Sequence, residues 1–184
     1  MRKNLGVKPY SYPQPVYIIC AKGSDGNISA MNAAWGGIRE SNEIALCLSN
    51  THKTVKNILE SKAFTISPAT KKYTTECDYL GVVSGNDVSN KLEVCHFTTT
   101  QSEYVNAPII NELPIAIECE LKEYTEDGIM IGIIKNVSVD ESVLTNNKVD
   151  IKKVEPISFD PFNNQYVVLT EVVGNAFKDG LKLK

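Results

Sequence analysis

Six consecutive residues bring together the groups that bind an anion such as phosphate. They are Ser49, Asn50, Thr51, His52, Lys53 and Thr54. A helix is predicted to begin near Thr51 and to end near Ser61, because Val55, Ile58 and Leu59 follow at helical spacing. The first amides of a helix lack intrahelical acceptors and lie at the positive end of its dipole, so they favour a bound anion. The same residues suit an ordinary helix cap by Ser49, Asn50 or Thr51, and spacing alone favours that simpler interpretation.

The stretch before this loop is predicted to be a strand that a flat ligand can approach closely. It runs from Ile28 to Trp35 and includes Asn32, Ala33 and Ala34, with Gly36 and Gly37 directly after it. Residues with small or no side chains expose the backbone to a ligand. Trp35, the single tryptophan, can form the wall of a slot for an aromatic ring, or lie in the core with its N–H group bonded. The residues leave both possibilities open.

A third polar segment, Ser84-Gly85-Asn86-Asp87, is followed closely by Lys91. It can form a polar lip that carries a cation, or a solvated loop, and the composition favours the loop. The three segments together are the candidate site.

Other kinds of chemistry find little support. The two histidines, His52 and His96, have no second ligand at metal-site spacing, so no metal is expected. The chain contains no GxSxG, Walker, HExxH or strand-linked GxGxxG motif, which disfavours a hydrolase or a Rossmann dehydrogenase. A net charge of −3 gives no footprint for nucleic acid, and no apolar run approaches the roughly 18 residues of a membrane span. Five widely spaced cysteines indicate reduced core thiols in a cytoplasmic protein.

The remaining pattern predicts many short strands and two or three helices. Predicted strands are Val16–Cys20, Ile28–Trp35, Glu43–Leu48, Ala63–Pro68, Leu113–Tyr124, Ile129–Val139, Pro156–Phe159 and Tyr166–Val173. A second helix is predicted over Lys71–Leu80, a loop over Gly81–Asn90, and turns at Ser24–Asn27, Thr125–Gly128 and Asn146–Lys148. This content favours a mainly β fold, a β-barrel with helical insertions, in one domain over residues 1–184.

In their order and spacing these residues resemble the flavin reductase-like family of FMN-binding split barrels, most closely its flavoredoxin-type branch. The matching pieces span nearly the whole chain. They are Pro15-Val16, Asn32–Ile38, Ser49–Thr54 with Asn57-Ile58, Asp78–Gly81, Ser84–Val88 with Lys91, Ala107-Pro108, Leu113-Pro114, Glu118-Cys119, Asp140–Leu144, Asp150-Ile151 and Gly174–Phe177 before Gly180.

The resemblance implies a six-stranded antiparallel Greek-key barrel that forms a homodimer with non-covalent FMN at the interface. By resemblance, Asn32–Trp35 runs along the flavin ring and ribityl chain, and Ser49–Thr54 cradles the phosphate. Ser84, Gly85 and Lys91 belong to a lip over the ring, where a cation favours negative charge on the flavin. Phe177 lies in a C-terminal segment that packs near the site. Two positions depart from the branch: Asn50 stands where relatives often have arginine, and Thr170 where they often have glycine.

The function implied is a flavin-dependent oxidoreductase that passes electrons or hydride from NAD(P)H or a reduced protein partner to an acceptor. No side-chain acid or nucleophile is expected to be required. The alternatives are an electron carrier without its own small-molecule site, and a ligand-binding barrel that has lost FMN. Neither nucleic acid nor a membrane is expected as a partner.

Overall fold

The computed structural model describes residues 1–184, and its largest element is a seven-stranded antiparallel sheet. In chain order the strands are β1 (Gln14–Pro15), β2 (Tyr17–Lys22), β3 (Ile28–Ala33), β4 (Gly36–Glu40), β5 (Glu43–Cys47), β6 (Ala63–Pro68), β7 (Thr99–Gln101), β8 (Pro108–Ile110), β9 (Ile115–Tyr124), β10 (Ile129–Val139), β11 (Leu144–Thr145), β12 (Lys148–Val149), β13 (Ile157–Asp160) and β14 (Gln165–Val168). The helices are α1 (Lys53–Ser61), α2 (Thr74–Val82), α3 (Lys91–Val94) and α4 (Ile151–Val154), with 3-10 turns at Lys71–Tyr73, Glu141–Val143 and Asp179–Leu183. The predicted mainly β content is confirmed.

The main sheet has the order β3-β2-β6-β9-β10-β5-β4, so β3 and β4 are its two edges. Along the chain only Ala34 and Trp35 separate these strands, a link that spans about 10 Å at most. Seven strands laid flat would hold the edges roughly 29 Å apart, at about 4.8 Å per strand. The sheet therefore curls into a half-barrel until its edges approach each other, which confirms the predicted barrel-type fold. It has seven strands where the resemblance implies six.

Alternation along the strands builds two apolar layers. Ile19 and Met31 lie in a cluster enclosed by the curled sheet, and α1 closes it with Val55 and Ile58. Neighbouring residues on the opposite face of the sheet, such as Ile18, belong to a second cluster that α2 and α3 cover. This packing fixes the start of α1 at one end of β3 and lays α2 alongside the same strand.

Most predicted elements are confirmed with small shifts. The hairpin predicted over 113–139 is β9 and β10, and Gly128 occupies its turn with a φ of +87°, a conformation that favours glycine. β6 has the predicted bounds. The predicted second helix begins as a 3-10 turn at Lys71 and continues to Val82. The last predicted strand ends early, at Val168, because no further residue pairs with β13.

The strand β4 was not predicted, because Gly36 and Gly37 beside charged residues are typical of a turn. The structure shows why glycine is needed there. A Cβ atom on Gly36 would lie 2.5 Å from Leu46 Cδ2 and 2.7 Å from the carbonyl oxygen of Ala45, so only glycine allows β4 to pair with β5 at this point.

The five cysteines are free, and four of them are buried as predicted. Burial raises the pKa of the Cys20, Cys77 and Cys119 thiols to about 12, so they stay protonated at neutral pH. The exception is Cys47, which is exposed at the end of β5. None of the helices has the length and apolar character that a membrane-spanning helix requires.

Candidate functional site

The edge strand β3 turns every second pair of backbone groups away from its neighbour β2. Lys91 Nζ donates to the carbonyl oxygen of Ala30 at 3.1 Å, which shows that this carbonyl points away from β2. Successive residues of an antiparallel strand turn their backbone groups to opposite sides, so Ala30 and Asn32 face the open edge while Met31 pairs with β2. An edge of this kind can hydrogen-bond to a planar ligand.

The start of α1 carries no side-chain cap. Its N-cap residue is His52, and the first helical bond runs from the Lys56 N–H to the His52 carbonyl at 3.1 Å. The main-chain N–H groups of Lys53, Thr54 and Val55 therefore have no acceptor in the protein. The expected cap by Ser49, Asn50 or Thr51 is wrong. Ser49 Oγ instead accepts from the Thr51 N–H at 3.3 Å, one turn too early to cap the helix.

The third polar segment, Ser84–Asp87, lies directly against this helix start. Asn86 Nδ2 donates to the carbonyl oxygen of Thr51 at 3.0 Å, and Lys56 Nζ donates to Asn86 Oδ1 at 3.0 Å. A Cβ atom on Gly85 would lie 2.9 Å from Ser29 Oγ, so the loop passes as close to β3 as glycine permits. The structure thus brings Ser84 and Gly85 to the Ser49–Thr54 segment, although 30 residues separate them in sequence.

The hydroxyl and charged groups of the loop are not equally available. Thr54 is 1% exposed, and its Oγ1 lies 2.9 Å from Ser29 Oγ. Lys53 Nζ lies 3.8 Å from Asp25 Oδ2, which partly neutralises its charge. His52 is exposed, as are Asn50 and Thr51. Lys56 adds a cation that the sequence reasoning missed, although its position one turn after His52 on a predicted helix was a usable signal.

Lys91 is the most unusual charged group of the site. It is 4% exposed, and its ammonium group donates to the carbonyl oxygens of Ala30 and Leu80 at 3.1 and 2.8 Å. Desolvation lowers its pKa from the ordinary lysine value. It forms no ion pair with any carboxylate. A narrow crevice of about 50 Å³ borders it, lined also by Ser29, Lys53 and Gly85.

Trp35 sits where the two sheet edges meet, and it is 56% exposed. The interpretation of Trp35 as a core residue is therefore wrong. Its ring borders an open cavity of about 390 Å³ together with Cys47, Ser49, Asn50 and Tyr124. The indole is available to contact a ligand or a second protein chain.

A third cavity, of about 270 Å³, adjoins Asn32, Ala33 and Ala34. Sequence reasoning missed two polar residues in its wall, Asp78 of α2 and Tyr166 of β14. They are 88 residues apart, and the Tyr166 hydroxyl donates to Asp78 Oδ1 at 2.7 Å. No local pattern could have paired them.

Phe177 is the one predicted site residue that the chain does not bring to the others. It lies in the C-terminal segment after β14 with a φ of +62°, and its side chain is 99% exposed. In a single chain it contributes nothing to the three cavities.

Comparisons with known proteins agree with this geometry. A model of the flavin reductase like domain matches residues 10–155. The flavoredoxin of Desulfovibrio vulgaris (Miyazaki F) is 36% identical, with a TM-score of 0.93 over 98% of this chain and 100% of that one. The flavoredoxin from Methanosarcina acetivorans is 25% identical, with a TM-score of 0.88 over the whole of both chains.

A further similarity supports the fold alone. Nitrilotriacetate monooxygenase component B from Bacillus cereus is 19% identical, with a TM-score of 0.80 over 95% of this chain and 100% of that one. No curated protein sequence matches the chain. The family model and the 36% identity over almost the full length decide the assignment: the chain belongs to the flavin reductase-like family of FMN-binding split barrels.

Proposed function

We propose that this protein binds FMN non-covalently between the open edge of β3 and the start of α1. It would then act as an oxidoreductase that passes electrons or hydride from NAD(P)H or a reduced protein donor to an acceptor. The observation that carries the proposal is the uncapped α1, whose first three amides lack acceptors beside the Ser49–Thr54 loop. Bound flavin would supply the redox chemistry, and the chain supplies binding, orientation and charge.

The residues at the helix start fit a phosphate. Three free amides and the positive end of a nine-residue helix face the same region as the exposed Thr51 hydroxyl. Asn50 lacks the charge of the arginine common in this branch. Lys56, tied through Asn86 to Thr51, places a cation on this side of the helix and can offset that loss.

The residues along β3 fit the flavin ring. The outward backbone groups of Asn32 can hydrogen-bond to its polar edge. Lys91 adds a buried positive charge without a carboxylate partner, held against the same strand. A cation in that position favours negative charge on a neighbouring flavin ring.

A reductase and an electron carrier differ in whether a small substrate can reach the flavin. The similarity to two flavoredoxins favours the carrier as the second candidate. The 270 Å³ cavity beside Asn32–Ala34 favours a reductase, because it offers space for a substrate next to the strand that would hold the ring.

Anaerobic rapid mixing of the FMN-loaded protein with NADH and with NADPH separates the two candidates. A reductase should lose its visible flavin absorbance rapidly with at least one nucleotide. Reduction only by a ferredoxin-like protein donor would contradict the reductase and support the carrier. Free FMN in the same buffer is the control for reaction without protein.

We also propose a homodimer in which the flavin site lies at the interface. A single chain leaves many large apolar side chains exposed, among them Trp35, Ile38, Val137, Val173 and Phe177. Association of two chains can remove such side chains from water, which is favourable. Burial of Phe177 against the second chain would bring it near the site. Sedimentation should show a dimer at micromolar concentration, and a monomer alone would contradict the proposal.

A further inference from the structure

The 270 Å³ cavity beside β3 is mostly apolar but holds one charged group. Its apolar walls are Val16, Ala33, Ala34, Val82 and Phe159. Phe159 and Tyr166 face each other across the β13–β14 pair, with ring centroids 6.1 Å apart and ring planes tilted by 56°, so two aromatic rings form part of the wall. The volume lies near the lower end for small-molecule sites and suits a single ring with one substituent.

The polar groups of the wall are arranged as acceptors. The Tyr166 hydroxyl donates to Asp78 Oδ1 at 2.7 Å, and Asn32 Nδ2 donates to the carbonyl oxygen of Cys77 at 3.1 Å. Desolvation and the neighbouring Asp78 raise the pKa of Tyr166, so the phenol stays protonated and its proton stays on Asp78's side. Asp78 Oδ2 receives no hydrogen bond from the protein. Asp78 Oδ2 is therefore a free acceptor for a ligand, whereas the Tyr166 hydroxyl and Asn32 Nδ2 already donate to groups of the protein.

No cation balances the charge of Asp78. No lysine, arginine or histidine lines the cavity, and Asp78 takes part in none of the ion pairs of the molecule. The hydrogen bond from Tyr166 holds the carboxylate in one orientation at the wall. A ligand in the cavity therefore meets a mostly apolar, partly aromatic wall with a single fixed negative charge.

We propose that this cavity binds the small second substrate of the protein, and that Asp78, oriented by Tyr166, makes it select uncharged or cationic ring compounds over anionic ones. The assignment rests on the proposed flavin site, because Asn32–Ala34 form both the wall of the cavity and the strand along the ring. Asp78 is the specificity-determining residue and Tyr166 the positioning residue. At a partly exposed site one unit charge shifts affinity by at least about tenfold between a cation and an anion of the same shape.

Three probes of nearly the same shape test the proposal: benzamidine (cationic), benzamide (neutral) and benzoate (anionic). Calorimetric titration of the FMN-loaded protein should give binding in that order, with benzamidine at least about tenfold tighter than benzoate. In Asp78→Asn, which keeps the size and the hydrogen bond, the three affinities should agree within about threefold. Tyr166→Phe keeps the negative charge but removes the hydrogen bond that orients the carboxylate. It should reduce the difference in affinity between benzamidine and benzoate only partly.

Glu76→Gln is the matched control, since it removes one carboxylate from the same helix without touching the cavity lining. It should retain the wild-type order. Benzoate binding as tightly as benzamidine, an unchanged order in Asp78→Asn, or no binding of any probe would overturn the proposal. The flavin spectrum reports separately on FMN uptake. Titration of the flavin-free protein gives the order of affinities of the three probes even if FMN does not bind. Failure of the cavity proposal and failure of the FMN proposal can therefore be told apart.

Discussion

Replacement of Lys91 by methionine should lower the free energy of unfolding by about 2–5 kcal/mol, because two buried carbonyl oxygens lose their donor. The ammonium group joins the edge strand β3 at Ala30 to the last turn of α2 at Leu80, where carbonyl groups lack helical partners. Methionine fills similar space but donates nothing. Urea unfolding of the flavin-free protein measures the loss. Lys56→Met is the matched control, since that exposed lysine bonds only to Asn86 and should change stability by less than about 1 kcal/mol.

The comparison of wild type with Lys91→Met can be repeated as a function of pH. Desolvation places the pKa of Lys91 in the folded protein below the ordinary lysine value of 10.5, so the unfolded chain binds the proton more readily. The stability that Lys91 contributes should therefore rise as pH increases towards 10.5, and the difference between wild type and Lys91→Met should widen. The buried thiols lower stability as pH rises, but both proteins contain them, so their effect cancels in the difference. Equal stability of Lys91→Met and Lys56→Met at neutral pH would contradict the structural role of Lys91.

The sequence predicts the fold well wherever local pattern and packing agree. Alternation of Ile115, Ile117 and Cys119 and the Asp127-Gly128 turn identify the β9–β10 hairpin, because both signals are local. β4 is the opposite case. Its glycines read as a turn, while a contact with Leu46 on the neighbouring strand is what requires Gly36. A requirement set by a paired strand cannot be seen in the segment itself.

The site divides in the same way. The position of the helix start beside Ser49–Thr54 follows from helical spacing, and the Ser84–Gly85 loop follows from turn chemistry. The residue that caps α1 does not follow from the sequence, because several polar residues are equally suited to that position. In the structure none of their side chains caps the helix. Asp78 and Tyr166 meet only through the pairing of β14 with β13 and the packing of α2 on β3. Such long-range pairs are fixed by topology.

FMN should bind at least about 100-fold more tightly than riboflavin, because only FMN carries the phosphate that the free amides of α1 would bind. Charge-assisted hydrogen bonds to main-chain N–H groups are among the stronger ones in proteins. Riboflavin keeps every contact to the ring and the ribityl chain. The ratio of the two affinities therefore isolates the phosphate site from the remainder of the flavin site.

A substitution at the first helical position, Lys53, removes one of these amides without breaking the helix. Proline is well tolerated at that position, and the extended backbone of His52 (φ −71°, ψ 136°) suits a residue before proline. Lys53→Ala is the matched control, since it removes the side chain but keeps the N–H group. Relative to it, Lys53→Pro should bind FMN about tenfold more weakly and riboflavin equally well.

Fluorescence titration of the purified protein with FMN and with riboflavin tests the central claim, that a flavin phosphate binds at the start of α1. The expected result is an affinity ratio of at least about 100 in favour of FMN, reduced about tenfold in Lys53→Pro but not in Lys53→Ala. Equal affinities for the two flavins, or a failure of both to bind, would contradict it.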